Sequence, residues 1–220
     1  MNISPLHYIV TQPAQADTAC RAGADWIQLR VKNRTYADWK ALALETLAVC
    51  RQHTARLIIN DNPHLAGDIG ADGVHLGQED MPVAEARTLL GATCLIGGTA
   101  NTVETIRAHH RDGVDYVGLG PFRFTSTKEK LSPVLGLDGY RRILIALTGQ
   151  HISLPVIAIG GITIDDVLAL MQLGFQGIAV SSAITNAPDP VAQTRLFLMH
   201  LASLTAELNG NDFTTANDCR

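Results

Sequence analysis

The stretch "VIAIGGITIDDVLALMQLGFQGIAVSS", residues 156–182, holds one complete unit of the fold. It opens with the β-branched apolar run Val156-Ile157-Ala158-Ile159 and breaks at Gly160-Gly161, where a strand hands over to a loop. Thr163 and Asp166 then stand at capping-box spacing, and the helical segment "DDVLALMQLG" ends on a glycine. A second apolar run, "GIAV", closes on Ser181-Ser182. Strand, helix and strand in so few residues predict a parallel βαβ unit.

The same alternation extends to both sides. Further short runs read "HYIVT" (7–11), "WIQLR" (26–30), "RLIIN" (56–60), "GVHLG" (73–77), "CLIGG" (94–98) and "YVGLG" (116–120). Between them lie helix-like segments such as "YADWKALALETLAVCRQ" (36–52), whose apolar spacing is near 3.6, and one that Asn101 and Glu104 would open as a capping box. Eight evenly spaced strands in 220 residues predict a compact single-domain (β/α)8 barrel, a TIM barrel, in preference to a doubly wound open sheet. The expected boundaries are 1–208 for the barrel and 209–220 for a polar C-terminal tail.

Composition narrows the function. With 46% hydrophobic residues and a net charge of -4, the chain can bury a large core and has no basic field for nucleic acid. No apolar run reaches the roughly 18 residues of a membrane span, and "MNISPLHYIV" lacks signal-peptide character. Cys20, Cys50, Cys94 and Cys219 stand far apart and read as small apolar residues, so a cytoplasmic setting is expected. Oligomeric state is left open, because the apolar outer faces of barrel helices could pack on a second copy.

A barrel of this kind places its chemistry at the carboxyl ends of its strands. With a period of two, Gln28, Arg30 and Lys32 share one face of strand two and point inward or up from the mouth, while Leu29 and Val31 face the helices. Two cations there call for an anion, either a ligand or an internal carboxylate such as Asp61. Asp61 and Asp80 follow strands three and four, where two carboxylates could hold Mg2+ shared with phosphate oxygens. Each could instead cap a helix, begun by Pro63 and near Pro82 respectively. His75 reads as a hydrogen-bonded barrel histidine and not as a base. Gly160 and Gly161 would let a phosphate approach the backbone, and Ser181 and Ser182 precede another helical start. After strand six, Thr125, Ser126, Thr127 and Lys128 form either a polar turn or an anion cradle. A diphosphate site and a monophosphate site in one mouth suggest two small-molecule substrates. GxSxG and HExxH motifs are absent, and no cysteine stands in a catalytic context.

In this order, "QLRVK", "IIND", "GVHLGQED", "YVGLGP" with "TSTK", "AIGGIT" and "SSAI" resemble the thiamine phosphate synthase (thiamine-phosphate pyrophosphorylase) family from about residue 7 to residue 205. The resemblance implies a (β/α)8 transferase. It would join 4-amino-2-methyl-5-hydroxymethylpyrimidine diphosphate to a thiazole phosphate, giving thiamine phosphate and diphosphate. It implies that Gln28, Leu29, Arg30, Val31, Lys32, Asn60, Thr99 and Lys128 bind the pyrimidine diphosphate, with Arg30, Lys32 and Lys128 stabilising charge on the leaving group. Asp61 and Asp80 would coordinate Mg2+. Thr125, Ser126, Thr127, Gly161, Ser181 and Ser182 would hold the thiazole phosphate. Phe124 departs from the family's usual proline, and Thr99 from its usual serine, with Gly98 as an extra loop glycine. The nearest alternative is a thiazole tautomerase-like isomerase of the same fold, which places a histidine where this chain has Pro121. A non-catalytic binder of thiamine intermediates and another phosphate-binding barrel enzyme are further alternatives.

Overall fold

The computed structural model describes residues 2–124 and 133–211, with side chains as far as residue 204. Eight parallel strands close in sequence order into one barrel: β1 (Leu6–Val10), β2 (Trp26–Leu29), β3 (Arg56–Asn60), β4 (Gly73–Leu76), β5 (Leu95–Ala100), β6 (Tyr116–Leu119), β7 (Val156–Ile159) and β8 (Gly177–Val180). All eight predicted runs are strands, with no end shifted by more than two residues. The helices are α1 (Pro13–Arg21), α2 (Tyr36–Gln52), α3 (Pro63–Ile69), α4 (Val83–Leu90), α5 (Val103–Asp112), α6 (Gly136–Gly149), α7 (Val167–Gln172), the short α8 (Ser182–Thr185) and α9 (Pro190–Asn211).

Alternation along each strand divides the core into two. Ile9, Trp26, Ile58, Leu95, Tyr116, Ile157 and Ala179 fill the barrel interior. The residues of opposite parity, among them Tyr8, Leu29, Ile59, Val117 and Ile178, pack outward beneath the helices. His7 joins the interior layer, stacked on Trp26 at 4.3 Å between ring centroids and set edge-on to Tyr116. Burial, and then the proximity of His75, depress its pKa to about 3, so it is neutral there.

The lower rim carries a device that recurs with the barrel. Asp72, just before β4, donates its N–H to the Leu57 carbonyl and accepts the Leu57 N–H on its carboxylate at 2.8 Å. Asp115, before β6, makes the same reciprocal pair with Ile96, and Gln176, before β8, with Val156. Asp25, before β2, takes the Ser4 hydroxyl at 2.6 Å. Each satisfies polar groups where a strand starts, at a place where burial would otherwise leave them without water. Arg87 reinforces the Asp115 clamp, pairing with its carboxylate at 2.8 Å and donating to the carbonyls of Cys94, Gly91 and Gly113.

Start signals were partly misread. Thr163 and Asp166 do form the capping box. At α5, however, the cap is Thr102, which accepts the Thr105 N–H, while Asn101 donates from its side chain to the carbonyls of Gly120 and Pro133. Asn101 ties two loops together in place of starting a helix.

Candidate active site

The upper ends of β2, β3 and β4 bring the first cluster together. Gln28 points into the barrel as its parity required, and its Nε2 donates to Asn60 Oδ1 at 2.7 Å. Asn60 Nδ2 and Gln28 Oε1 remain uncommitted among the described residues, so this amide pair offers one donor and one acceptor upward. Leu29 and Val31 belong to the outer layer beneath the helices, Leu29 wholly buried and Val31 at the edge of the cleft described below.

Asp61 and Asp80 sit side by side, and neither caps a helix. Asn62 caps α3 through its bond from Leu65 N, and Pro82 stands at the cap of α4. Asp61 takes a left-handed backbone conformation (φ 65°) while its N–H continues the β3–β4 pairing to the His75 carbonyl. Its carboxylate meets Lys32 Nζ at 3.1 Å, the internal ion pair that the sequence left open as an alternative. Asp80 accepts the Gly77 N–H at 2.6 Å. Its pKa is raised first by burial and further by the adjoining Asp61, which outweigh the Gly77 N–H and Lys32. Two carboxylates held together, one of them pushed toward protonation, form a donor set that a hard divalent cation would relieve. Among the described residues no group of three or more His, Cys, Asp or Glu could hold a metal unaided. The pair would suit a hard divalent cation such as Mg2+, with Asp61 and Asp80 as two of its oxygen ligands and the rest supplied from outside the described residues.

Arg30 and Lys32 also line a cleft of about 570 Å³ between the ends of β1 and β2, together with Thr11, Gln12, Arg34 and Glu45. Arg30 has no carboxylate partner among the described residues. Arg34 is a third cation that the sequence reading passed over, although it continues the alternation of Arg30 and Lys32. On the next strands, His75 is the hydrogen-bonded barrel histidine expected: Nδ1 lies 3.1 Å from the Tyr116 hydroxyl and Nε2 3.0 Å from the Thr99 hydroxyl.

Gly98 and Thr99 are not loop residues but lie within β5. A Cβ on Gly98 would come within 2.8 Å of the His109 ring, whose Nε2 lies 3.0 Å from the Thr99 carbonyl. The departure at residue 98 thus makes room for a histidine that holds the end of β5.

The second cluster lies across the mouth, at β7 and β8. Gly160 and Gly161 have φ of 100° and 71°, where a side chain would be strained. Their open faces are covered by protein: a Cβ on Gly160 would meet Pro121 at 2.7 Å, and one on Gly161 would meet Arg123 at 3.0 Å. The glycines are required by close packing of the β6 loop, so any anion must come to the other side of the turn. Ser181 follows β8 and Ser182 opens the four-residue α8, and neither hydroxyl has a partner among the described residues. Arg123, to which the sequence reading gave no role, binds Asp166 with both guanidinium nitrogens and reaches the Gly161 carbonyl at 2.9 Å. Burial works against the Asp166 charge, but Arg123 and the Thr163 donors outweigh it and hold the carboxyl below its usual range. Thr125, Ser126, Thr127 and Lys128 lie outside the described residues.

Comparison with known proteins identifies the family. The thiamine monophosphate synthase family profile matches residues 5–184. A thiamine-phosphate synthase of Flavobacterium johnsoniae is 52% identical over 187 residues, covering 85% of this chain and 88% of that protein. One from Bacteroides fragilis is 50% identical over 183 residues, covering 83% and 90%. The solved structure of a thiamine phosphate pyrophosphorylase from Pyrococcus furiosus superposes with a TM-score of 0.80 at 28% identity, covering 90% of this chain and 96% of that one. The chain is an enzyme, a transferase of thiamine biosynthesis, and it belongs to the thiamine monophosphate synthase family.

Proposed function

We propose that the chain joins 4-amino-2-methyl-5-(diphosphooxymethyl)pyrimidine to thiazole phosphate, or its carboxylated form, releasing diphosphate (and, from the carboxylated form, CO2 as well) and forming thiamine phosphate. The observation that carries this reading is the Asp61–Asp80 carboxylate pair set beside Lys32 and Arg30 at the mouth. Carboxylates and cations together suit a metal-linked diphosphate, whereas a monophosphate isomerase has no use for the carboxylates.

In this reading Arg30 and Lys32 bind the diphosphate, and Lys128 reaches it from the β6 loop. Asp61 and Asp80 hold Mg2+, which when bound supplies Lewis-acid neutralisation of the leaving group's charge. The Gln28–Asn60 amide pair orients the aminopyrimidine, whose amino group and ring nitrogens offer the complementary donor and acceptors. Thr99, held by His75, contacts the diphosphate. As the C–O bond to diphosphate breaks, these fixed charges stabilise the departing anion, which is where electrostatic preorganisation contributes most. The ring nitrogen of the thiazole, anchored through its phosphate at Gly161, Ser181 and Ser182 with Thr125 to Thr127, captures the methylene cation left on the pyrimidine. Its lone pair needs no general base, consistent with the absence of a triad motif. We place the reaction in the cytoplasm, a setting that the free Cys20, Cys50 and Cys94 suit. Among the described residues no helix is long and apolar enough to cross a membrane.

The test is direct. Purified protein given both substrates and Mg2+ should form thiamine phosphate and diphosphate in equal amounts, and chelation should abolish both. Isomerisation of the thiazole without diphosphate release would overturn the assignment.

A further inference from the structure

Arg123 is the first described residue of the β6 loop to leave the barrel wall, and all of its hydrogen bonds among the described residues go to one place. Its N–H donates to the Gly160 carbonyl at 2.9 Å, extending the β6–β7 pairing that Phe122 N continues to the Ile159 carbonyl. Its guanidinium takes the Gly161 carbonyl at 2.9 Å and both oxygens of Asp166. Asp166 in turn accepts the Thr163 N–H and hydroxyl, at 2.8 and 3.0 Å. The guanidinium packs over the Phe122 ring at 4.5 Å, which limits its freedom. The Arg123 main chain thus holds the Gly160 carbonyl, while its side chain ties the Gly161 carbonyl to Asp166.

The consequence follows from peptide geometry. In a trans peptide the C=O and the N–H point in opposite directions. The Gly160 carbonyl shares its peptide with the Gly161 N–H, and the Gly161 carbonyl with the Ile162 N–H. With both oxygens held on the Arg123 side, both N–H groups face away from the β6 loop. Neither N–H has an acceptor among the described residues. Glycine at positive φ could otherwise flip its peptide at little cost and present an oxygen to an incoming anion. The guanidinium is committed to Asp166, so it neutralises that carboxylate near the turn and does not itself serve as the phosphate ligand.

We propose that Arg123 is a positioning residue for the phosphate of the thiazole substrate, fixing the Gly160–Gly161 turn so that the N–H groups of Gly161 and Ile162 are presented to that anion. This rests on the synthase reading for the identity of the ligand. Its substance is the polarity of the turn, which no residue of the diphosphate cluster controls.

Calorimetric titration with thiazole phosphate, and separately with the thiazole alcohol that lacks the phosphate, tests it without turnover. Arg123→Ala keeps the main-chain bond to Gly160 but frees the Gly161–Ile162 peptide; it should weaken thiazole phosphate by about tenfold, the cost of losing one aligned donor to a charged group, and leave the alcohol unchanged. In turnover the KM for thiazole phosphate should rise while the KM for pyrimidine diphosphate stays within about twofold. Arg123→Lys, which keeps the charge but cannot fork, should fall between parent and Ala, and it serves if the Ala variant does not fold. Binding of thiazole phosphate within twofold of the parent in both variants overturns the proposal. So does a parallel loss for both substrates with a lowered Tm, the mark of a merely structural staple. If the parent binds thiazole phosphate but makes no thiamine phosphate, the synthase reading fails and this one stands. If the parent turns over and the variants bind normally, only this one fails.

Discussion

The two rims of the barrel treat their charges in opposite ways. On the lower rim Asp25, Asp72 and Asp115 each accept a donor from a neighbouring strand or the chain leading into it, and Arg87 spends its donors on Asp115 and three carbonyls. On the upper rim Asp61 and Asp80 crowd each other, Arg30 has no acid partner among the described residues, and Asp61 sits at positive φ. The lower rim is satisfied by the protein itself. The upper rim pairs Lys32 with Asp61 and Arg123 with Asp166, but leaves Arg30 without an acid among the described residues and Asp80 against Asp61, charges that in the proposed function a ligand would satisfy. Stability and function are thus written with the same residue types at opposite ends of the same strands, which is how this barrel separates the two.

That contrast makes measurable claims. The largest concerns Asp80→Asn, which should lower the rate of thiamine phosphate formation by about a thousandfold, the order expected for losing a metal ligand or its charge. Its unfolding free energy should stay within about 1 kcal/mol of the parent or rise, because a like-charge contact is relieved. Normal turnover would break the comparison from the upper side. Next, Arg87→Ala should cost about 2–3 kcal/mol in denaturant unfolding, leaving Asp115 and several carbonyls short of a donor, with kcat near the parent value at low temperature. A large loss of kcat with unchanged stability would break it from the lower side.

A smaller effect should come from Gly98→Ala, which presses a methyl on the His109 ring and should cost about 1–2 kcal/mol in thermal or denaturant unfolding. Adding His109→Ala should recover part of that cost, and a purely additive double variant would show that the ring is not what fills the space. The smallest concerns His7, buried between the two rims. Its folded pKa is near 3, against 6.5 in the unfolded chain. Between those values the unfolded state binds a proton that the folded state refuses, so stability falls as pH falls. The parent should lose about 1–2 kcal/mol between pH 6.5 and pH 5 from this group, and His7→Phe should lack that slope. Parallel pH profiles for the two proteins would contradict the assignment.

How far the sequence was legible follows the same division. Strand existence, barrel closure and the inward parity of Gln28 came from periodicity, because a period of two fixes which face each residue takes. Asp61 and Asp80 were found by position past strand ends, but the choice between cap and cluster needed coordinates, since Asn62 competes for the same helix start. The lower clamps were missed although Asp25, Asp72, Asp115 and Gln176 precede every second strand. Their regular spacing was the signal, but short polar residues before a strand look the same as turn punctuation. Gly98 closed the 94–98 run and was also counted as a loop glycine, because glycine usually marks a strand end; the strand runs on to Ala100, and the His109 ring explains the glycine inside it. Arg123 could not have been found from spacing at all, since its partner Asp166 lies 43 residues away and is brought near only by the β6–β7 pairing.

The interior stack of His7, Trp26 and Tyr116, with Ile58 and Leu95 around it, fills the barrel between the rims. Nothing of substrate size can pass from one end to the other, so the active site is a vessel with a single opening. In the proposed reaction both substrates would enter through that opening, and diphosphate and the larger condensed product would both leave by it. Under that proposal traffic through the mouth becomes part of the kinetics: whichever product sits outermost would decide when the other departs, and a retained diphosphate would keep the next pyrimidine out.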